Sequence, residues 1–312
     1  MDITEIKEAR ARISNYVKRT PLLHSESLSR RLETQVFVKY ELFQKTGSFK
    51  PRGAFNKLLS LSQEDRSRGV VAVSGGNHAQ AVAYASQVLG VDAVIAMPAN
   101  TPQNYLEATQ GYGARVDLQP TIAEAFEKVK EYQAAGRIFL HPFDDPLIIA
   151  GQGTVGLEII EDVSDVTDVI VSIGGGGLAG GVAAAVKFAN PNIRVWGVET
   201  EGADAMAKAL AAGCPVTIEI TSIAKTLGAP YVTEGTMALI RKYFESVTVV
   251  TDAEAVEAIK FIAERLKVLT EPAASCTLAA AERLRANFTA ESKVVLVFCG
   301  GNTGISDLCG YL

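Results

Sequence analysis

Short apolar runs rich in β-branched residues alternate with stretches of helical periodicity along most of this chain. This alternation constrains the fold more than any other feature, because such runs predict buried strands and their alternation with helices predicts parallel βαβ units. The first group of predicted strands covers residues 36–41, 70–74, 93–97, 114–118 and 138–141, with helices at 79–89, 104–110 and 122–134. The second group covers strands at 168–173, 193–199, 247–251 and 294–299, with helices at 178–189, 253–266 and 273–286.

The two groups predict an α/β fold with two open, mostly parallel sheets that face a cleft. The 312 residues, 48% of them hydrophobic, suffice for two domains. The boundaries are expected in ordinary loops near Lys45 and near residues 142–146, because no low-complexity linker separates the groups. We therefore expect a large domain of residues 1–44 and 143–312 and a small domain of residues 45–142. Open α/β sheets bind ligands beyond the carboxyl ends of their strands, here in the cleft.

Composition narrows the class of partner. The net charge of −5 and the pI near 5.4 disfavour nucleic acid and anionic membranes, which both need a basic surface. No apolar run reaches the length of a membrane span, and the first residues follow an amphipathic helical pattern rather than that of a signal peptide. The four cysteines lack CxxC spacing and only three histidines occur, which argues against a zinc site or a disulfide framework. These features predict a cytoplasmic protein that acts on a small molecule.

Lys50 stands between glycines and a proline, in the segment of residues 45–54 that follows the predicted strand 36–41. This position indicates a fixed turn rather than a solvated helix face. A lysine that is held in a turn at the edge of a cleft is a candidate nucleophile. An ordinary solvated lysine is the alternative.

Four consecutive glycines, Gly174, Gly175, Gly176 and Gly177, end the strand 168–173 and open the helix that begins at Leu178. Backbone N–H groups without neighbouring Cβ atoms can converge there on an anion, which the helix dipole also favours, so the segment predicts a phosphate site. The same stretch satisfies GxGxxG as Gly175, Gly177 and Gly180, with Glu199 at the end of the next strand. A NAD-dependent oxidoreductase therefore remains an alternative at this point.

Three further segments follow predicted strands or open predicted helices. Ser74 and Asn77 belong to a turn before a helix, where they can hold a carboxylate or simply cap the helix. Cys299 ends the most apolar strand, either facing the cleft or as a buried structural thiol. Glu271 precedes Pro272 at a helix start, as an N-terminal charge or as a neighbour of a cofactor.

Together, these elements strongly resemble the fold-type II pyridoxal-phosphate enzymes, and within them the serine/threonine dehydratase and serine racemase branch. The resemblance covers essentially the whole chain through residues 20–22, 45–54, 74–80, 150–154, 174–177, 271–273 and 299–302. It implies two α/β domains, as in the tryptophan synthase β subunit, with pyridoxal 5′-phosphate in the cleft between them. It also implies a homodimer.

The resemblance implies a role for each motif residue. Lys50 corresponds to the Schiff-base lysine, Phe49 to its neighbour under the ring, and Asn77 to the partner of the 3′-oxygen. The phosphate position falls to Gly174, Gly175, Gly176, Gly177 and Leu178, and Cys299 faces the pyridine nitrogen. The residues implied for the substrate carboxylate are Ser74, Gly75, Asn77 and His78.

The activity that the resemblance implies is dehydration and deamination of a β-hydroxy amino acid, with L-threonine or L-serine expected first, to a 2-oxo acid and ammonia. Serine racemase activity, or a dehydratase for 3-hydroxyaspartate or phenylserine, is the alternative. The racemases of the branch carry a serine base where this chain has Gly75, which disfavours racemisation. Phe143, in the loop between the domains, is a candidate for the side-chain pocket and would favour a bulkier substrate.

The divalent-cation site of related enzymes, for magnesium or calcium, corresponds here to Glu199 and Ala203. Its third position is Ala205 where a relative has an aspartate, and Asp204 is one residue out of register. A carboxylate ligand is therefore missing, and only weak cation binding is expected.

Overall fold

The computed structural model describes residues 1–311. The strands are β1 (Leu22–His24), β2 (Gln35–Tyr40), β3 (Val70–Val73), β4 (Ala93–Pro98), β5 (Arg115–Gln119), β6 (Ile138–Phe139), β7 (Asp168–Ser172), β8 (Arg194–Thr200), β9 (Ser246–Val250) and β10 (Lys293–Phe298). The helices in the first half are α1 (Ile3–Ile13), α2 (Glu26–Leu32), α3 (Pro51–Ser60), α4 (Gln63–Ser67), α5 (Asn77–Leu89), α6 (Gln103–Gly111) and α7 (Ile122–Ala134). Those in the second half are α8 (Pro146–Asp162), α9 (Gly177–Ala189), α10 (Ala205–Ala212), α11 (Glu234–Tyr243), α12 (Asp252–Leu266), α13 (Pro272–Arg283) and α14 (Ile305–Tyr311).

The strands form two separate sheets. A six-stranded sheet has the order β1-β2-β10-β7-β8-β9, and a four-stranded sheet has the order β5-β4-β3-β6. Every pairing is parallel except that of β1 with β2, which is antiparallel. The mixed α/β class with largely parallel sheets, predicted from the alternation of runs, is confirmed.

The two faces of the four-stranded sheet bury different side chains. Val70 and Ala72 of β3 belong to the core shared with α3 and α5, whereas Val71 and Val73 pack with Val129 and its neighbours on α7. In the larger sheet, every residue of β7 is buried. This is expected of a parallel sheet covered by helices on both faces, whose strands read as continuous apolar runs.

Helix α8 was not predicted, and its glycines explain both its position and the failure to predict it. A Cβ added at Gly153 would lie 3.0 Å from the carbonyl oxygen of Gly181 on α9, and one added at Gly181 would lie 2.4 Å from that of Ile149. Small residues therefore let the two helices pack backbone against backbone. This contact fixes the start of α9 at the edge of the cleft.

None of the helices within residues 1–311 has the length and apolar character that crossing a membrane requires.

Candidate active site

The segment just before Lys50 pairs with the chain immediately beyond the carboxyl end of β10. Ser48 forms a β-bridge with Gly300, and the N–H of Phe49 donates to the carbonyl oxygen of Cys299 at 3.1 Å. These contacts fix the backbone immediately before Lys50. The predicted fixed turn thus has a physical cause in the pairing of two segments that lie about 250 residues apart along the sequence.

Lys50 immediately precedes α3, which begins at Pro51, a residue whose φ suits the first turn of a helix. Its Nζ donates a hydrogen bond to the carbonyl oxygen of Pro142 at 2.8 Å. Burial lowers the pKa of Lys50 to about 8, because a desolvated ammonium is disfavoured. An amine with this pKa has a substantial uncharged fraction near neutral pH, as a nucleophile requires.

A buried network of four charged residues anchors the first turn of α3, and this network was not predicted from the sequence. The guanidinium of Arg52 donates to both carboxylate oxygens of Glu41, each at 2.8 Å, and to those of Glu158 at 2.7 and 2.9 Å. Lys39 donates to Glu158 at 2.5 Å, which balances the charges. The available signal was the presence of Lys39, Glu41 and Glu158 in otherwise apolar elements.

Residues 174–177 form the turn between β7 and α9. Gly176 has φ +93°, which a residue with a Cβ adopts only with strain, and a Cβ at Gly177 would lie 2.7 Å from the carbonyl oxygen of Phe143. These glycines and Leu178 line the cleft, so the N-terminal end of α9 faces it. The unpaired N–H groups of a helix start and its dipole favour a bound anion.

The loop before α5 brings Asn77 to the opposite side of the cleft. Asn77 lines the cleft, and Ser74, Gly75 and His78 lie beside it in the loop and first turn. The hydroxyl of Ser74 accepts a hydrogen bond from a backbone N–H two residues on, at 3.0 Å. The imidazole of His78 is buried against the carbonyl oxygen of Leu140 at 2.9 Å, and burial lowers the pKa of His78 to about 3. It is therefore a neutral side chain at physiological pH.

Cys299 follows β10 and lines the cleft together with Lys50. The hydroxyl of Ser172 donates to its Sγ at 3.4 Å. Burial raises the pKa of Cys299 to about 12, so the thiol is neutral. The cleft is therefore lined by the Lys50 amine with its lowered pKa, the glycine turn at the start of α9, the Asn77 carboxamide and the uncharged Cys299 thiol.

The family follows from a match that spans most of the chain. Residues 13–300 match the family described as pyridoxal-phosphate dependent enzyme. The chain belongs to this family. The cofactor is therefore pyridoxal phosphate, which decides against the dinucleotide alternative for residues 174–177.

The relatives of this pyridoxal-phosphate enzyme are named either as ammonia-lyases (deaminases) or as racemases. This chain is 42% identical to an L-threonine ammonia-lyase of Thermotoga maritima over 97% of this chain and 76% of that protein. A structure of maize serine racemase has a TM-score of 0.94 and 39% identity, covering 99% of this chain and 96% of that chain. A structure of threonine deaminase isoform 2 from Solanum lycopersicum has a TM-score of 0.93 and 33% identity, covering 99% of this chain and 86% of that chain. The predicted family branch is thus confirmed.

The residues present fit this cofactor. The N–H groups at the start of α9 suit a phosphate, and the turn needs glycines because Cβ atoms added at Gly175 and Gly177 would collide with Phe143. Lys50 has the lowered pKa that bond formation with an aldehyde requires. Asn77 and Cys299 line the same cleft as donors without charge. The individual contacts of these residues with the cofactor stay predictions.

Phe143 lies against the glycine turn. A Cβ added at Gly175 would be 2.1 Å from its ring. The ring also meets His141 edge-on, with 4.7 Å between ring centroids, and Tyr231 at 6.0 Å. Phe143 thus stands beside the glycine turn of residues 174–177 within the cleft, and its predicted contact with the substrate side chain stays a prediction.

Glu199 caps a helix. Its two carboxylate oxygens accept the backbone N–H groups of Met206 at 2.9 Å and Ala207 at 2.7 Å, at the start of α10. Burial raises the pKa of Glu199 to about 8. Among residues 1–311, no three His, Cys, Asp or Glu side chains come together where they could hold a metal ion. The expected ligands Glu199 and Ala203 therefore stay a prediction.

Proposed function

We propose that this enzyme is an ammonia-lyase that converts a β-hydroxy amino acid, L-threonine or L-serine first, to a 2-oxo acid and ammonia. The observation that carries this proposal is that the Lys50 amine, with its pKa of about 8, lines one cleft together with the glycine turn of residues 174–177 and the neutral Cys299. The Thermotoga relative named L-threonine ammonia-lyase supports the same activity.

The cofactor would be held by several parts of the cleft. Lys50 would bind it through Nζ, residues 174–178 would bind its phosphate, and Asn77 its 3′-oxygen, with Phe49 beneath the ring. Cys299 would face its ring nitrogen. When bound, pyridoxal phosphate withdraws electrons from the substrate Cα and makes the Cα proton removable.

Lys50 supplies the base. With substrate and cofactor bound, the Nζ of Lys50 would accept the Cα proton and could return a proton to the departing β-hydroxyl, which would leave as water. Cys299, as a neutral thiol at the ring nitrogen, would stabilise negative charge on the ring only weakly, which favours prompt loss of the hydroxyl. The released enamine then tautomerises and hydrolyses to the 2-oxo acid and ammonia.

The substrate carboxylate is assigned to Ser74, Gly75, Asn77 and His78. The start of α5 favours an anion, and His78 is neutral there because of its burial. Phe143 is assigned to the side-chain end of the pocket, from its place in the cleft. We also propose that residues 45–142 form a small domain that closes over the substrate, and that the protein is a cytoplasmic homodimer.

Serine racemase is the second candidate, because the maize serine racemase structure superposes with a TM-score of 0.94. One set of assays distinguishes the two candidate activities and identifies the substrate. L-Threonine, L-serine, 3-hydroxyaspartate and phenylserine are supplied to the purified holoenzyme, and 2-oxo acid, ammonia and the D-enantiomer are measured. We expect equal amounts of 2-oxo acid and ammonia from L-threonine or L-serine, and none from the Lys50→Ala variant. A panel without any 2-oxo acid would overturn the proposal.

A further inference from the structure

Glu271 and the loop of residues 300–302 have no role in the function proposed above, although they adjoin the cleft. Glu271 is only 2% exposed. Its carboxylate accepts hydrogen bonds from Asn77 Nδ2 at 2.9 and 3.1 Å, from Thr226 Oγ1 at 2.5 Å and from the backbone N–H of Asn302 at 2.9 Å. All of these donors are neutral, so the carboxylate is held by hydrogen bonds alone.

The loop after β10 is built around this carboxylate. A Cβ added at Gly300 would lie 2.6 Å from Oε1 of Glu271 and 3.2 Å from Nδ2 of Asn77. The backbone N–H of Glu271 also donates to the carbonyl oxygen of Gly300 at 3.2 Å. The glycine therefore lets the chain pass close to the carboxylate and brings Asn302 within reach of it.

Asn302 holds the other end of the Asn77 carboxamide. Its Nδ2 donates to Oδ1 of Asn77 at 2.8 Å and to the carbonyl oxygen of Thr46 at 2.7 Å. Its own carbonyl oxygen accepts the hydroxyl of Tyr105 at 2.6 Å. Asn77 and Tyr105 belong to helices beside the four-stranded sheet, whereas Glu271 and Asn302 adjoin the six-stranded sheet. The contacts thus join the two halves of the chain across the cleft.

These contacts fix which way the Asn77 carboxamide points. Its oxygen has a donor in Asn302 and its nitrogen has an acceptor in Glu271, so a flipped amide would place donor against donor and oxygen against carboxylate. The two oxygens of the Glu271 carboxylate lie on the same side of Nδ2 and share one of its two N–H groups, so the other N–H remains.

We propose that Glu271 and Asn302 are positioning residues, which hold the Asn77 carboxamide so that its remaining N–H faces the 3′-oxygen of the cofactor. This inference rests on the proposed contact between Asn77 and the cofactor. It gives the sequence motifs Glu271-Pro272 and Gly300-Gly301-Asn302 a shared function. The alternative is that Glu271 serves only the stability of the start of α13.

The test is a double-mutant cycle that measures the dissociation constant of pyridoxal phosphate for the apoprotein by titration of the visible absorption band. Asn77→Ala removes the contact and is expected to weaken binding about tenfold or more, the worth of one hydrogen bond to a charged oxygen. Asn302→Ala is expected to weaken binding by several-fold in the wild-type background. In the Asn77→Ala background it should have no further effect, because it acts through Asn77.

Two further variants separate orientation from folding. Asn302→Asp places an acceptor against Oδ1 of Asn77 and should weaken binding more than Asn302→Ala does. Glu271→Gln should have the smallest effect, because its amide oxygen can still accept from Asn77 and Asn302 while its nitrogen donates to Thr226. The matched control is Tyr105→Phe, which removes a bond to the same loop and leaves the Asn302 side chain in place. It should change binding by less than about twofold, well below the worth of one hydrogen bond.

Each outcome bears on one assignment. If Asn77→Ala binds the cofactor as tightly as the wild type, the proposed contact of Asn77 fails, whatever the lyase assay shows. If Asn77→Ala is weak but the Asn302 effect persists undiminished in that background, or Tyr105→Phe matches Asn302→Ala, positioning is overturned. Should Asn302→Ala fail to fold by circular dichroism, the same cycle with Asn302→Asp decides.

Discussion

Arg52 and Glu158 form a buried bidentate ion pair, with Nη1 to Oε1 at 2.7 Å and Nη2 to Oε2 at 2.9 Å. The pair links the first turn of α3, two residues after Lys50, to helix α8. Burial by itself would raise the pKa of Glu158, but Arg52 and Lys39 together outweigh it and hold that pKa below its ordinary value. Lys50 is thus carried by a backbone that is pinned to the neighbouring helix.

We predict that Arg52→Met lowers the free energy of unfolding by about 3–5 kcal/mol, because it leaves the buried carboxylate of Glu41 without a cation and Glu158 with Lys39 alone. The matched control is Arg19→Met. Arg19 pairs with Glu161 and Asp162 at a half-exposed site, so its loss should cost less than about 1 kcal/mol. Urea unfolding of both variants measures the difference. Equal losses of unfolding free energy would show that the buried network stabilises the fold no more than the half-exposed ion pairs of Arg19 do.

Lys50 is predicted to be the residue that carries the cofactor. Borohydride reduction followed by peptide mapping should find the pyridoxyl group on Lys50, and a label on Lys39, Lys45 or Lys57 would contradict the assignment. Because the pKa of Lys50 is about 8 and only the neutral amine attacks, cofactor uptake by the apoprotein should slow about tenfold per pH unit below that value. An uptake rate that is flat from about pH 6 to about pH 9, a range that spans this pKa, would show that another group limits it.

The glycine turn is predicted to bind the cofactor phosphate. Gly176→Val places a side chain at φ +93° and its Cβ 2.9 Å from that of Thr236, so cofactor binding should weaken by about 1–3 kcal/mol or more. The control is Gly111→Ala, at a position with open space around the added Cβ. The dissociation constant of pyridoxal phosphate measures both. Unchanged binding in Gly176→Val would remove the phosphate from this turn.

Divalent cations are predicted to raise activity only modestly. Ala205 stands where a third ligand is expected, and both oxygens of Glu199 already accept backbone N–H groups of α10. Activity in EDTA should therefore stay within a few-fold of that with added magnesium, because a hard cation that has lost a carboxylate ligand binds weakly. Complete loss of activity in EDTA, with restoration by magnesium, would contradict this.

The sequence allowed the buried strands to be predicted because each lies in a parallel sheet and reads as an apolar run, as in β3, β7 and β10. It did not allow α8 to be predicted, since glycines that serve close helix packing resemble loop signals. The short exposed β1 has too few buried residues to show a pattern. The contacts of Arg52 with Glu158 and of Glu271 with Asn77 join residues far apart in the chain, so neither leaves a local signal.

We predict that elimination is much faster than racemisation in this enzyme. Racemisation requires an acid on the face of the substrate opposite Lys50, because the proton removed from one side of a planar carbon must be replaced from the other. Gly75, where racemases of the branch keep a serine, has no proton to give. Since a positioned general acid is worth about 100-fold or more, D-serine should form from L-serine at least about 100-fold more slowly than pyruvate does.

Placing a serine at position 75 tests whether a missing acid prevents racemisation, but the single substitution Gly75→Ser would put its side chain too close to Thr101. A Cβ at residue 75 would lie 2.6 Å from Oγ1 of Thr101, whose hydroxyl donates to the carbonyl oxygen of Pro98. We therefore expect the double variant Gly75→Ser, Thr101→Ala to gain D-serine formation, while Thr101→Ala alone does not. Chiral chromatography of the residual serine measures the gain. If the wild-type protein already accumulates D-serine at a rate comparable to pyruvate, a residue other than the one at position 75 must donate the second proton.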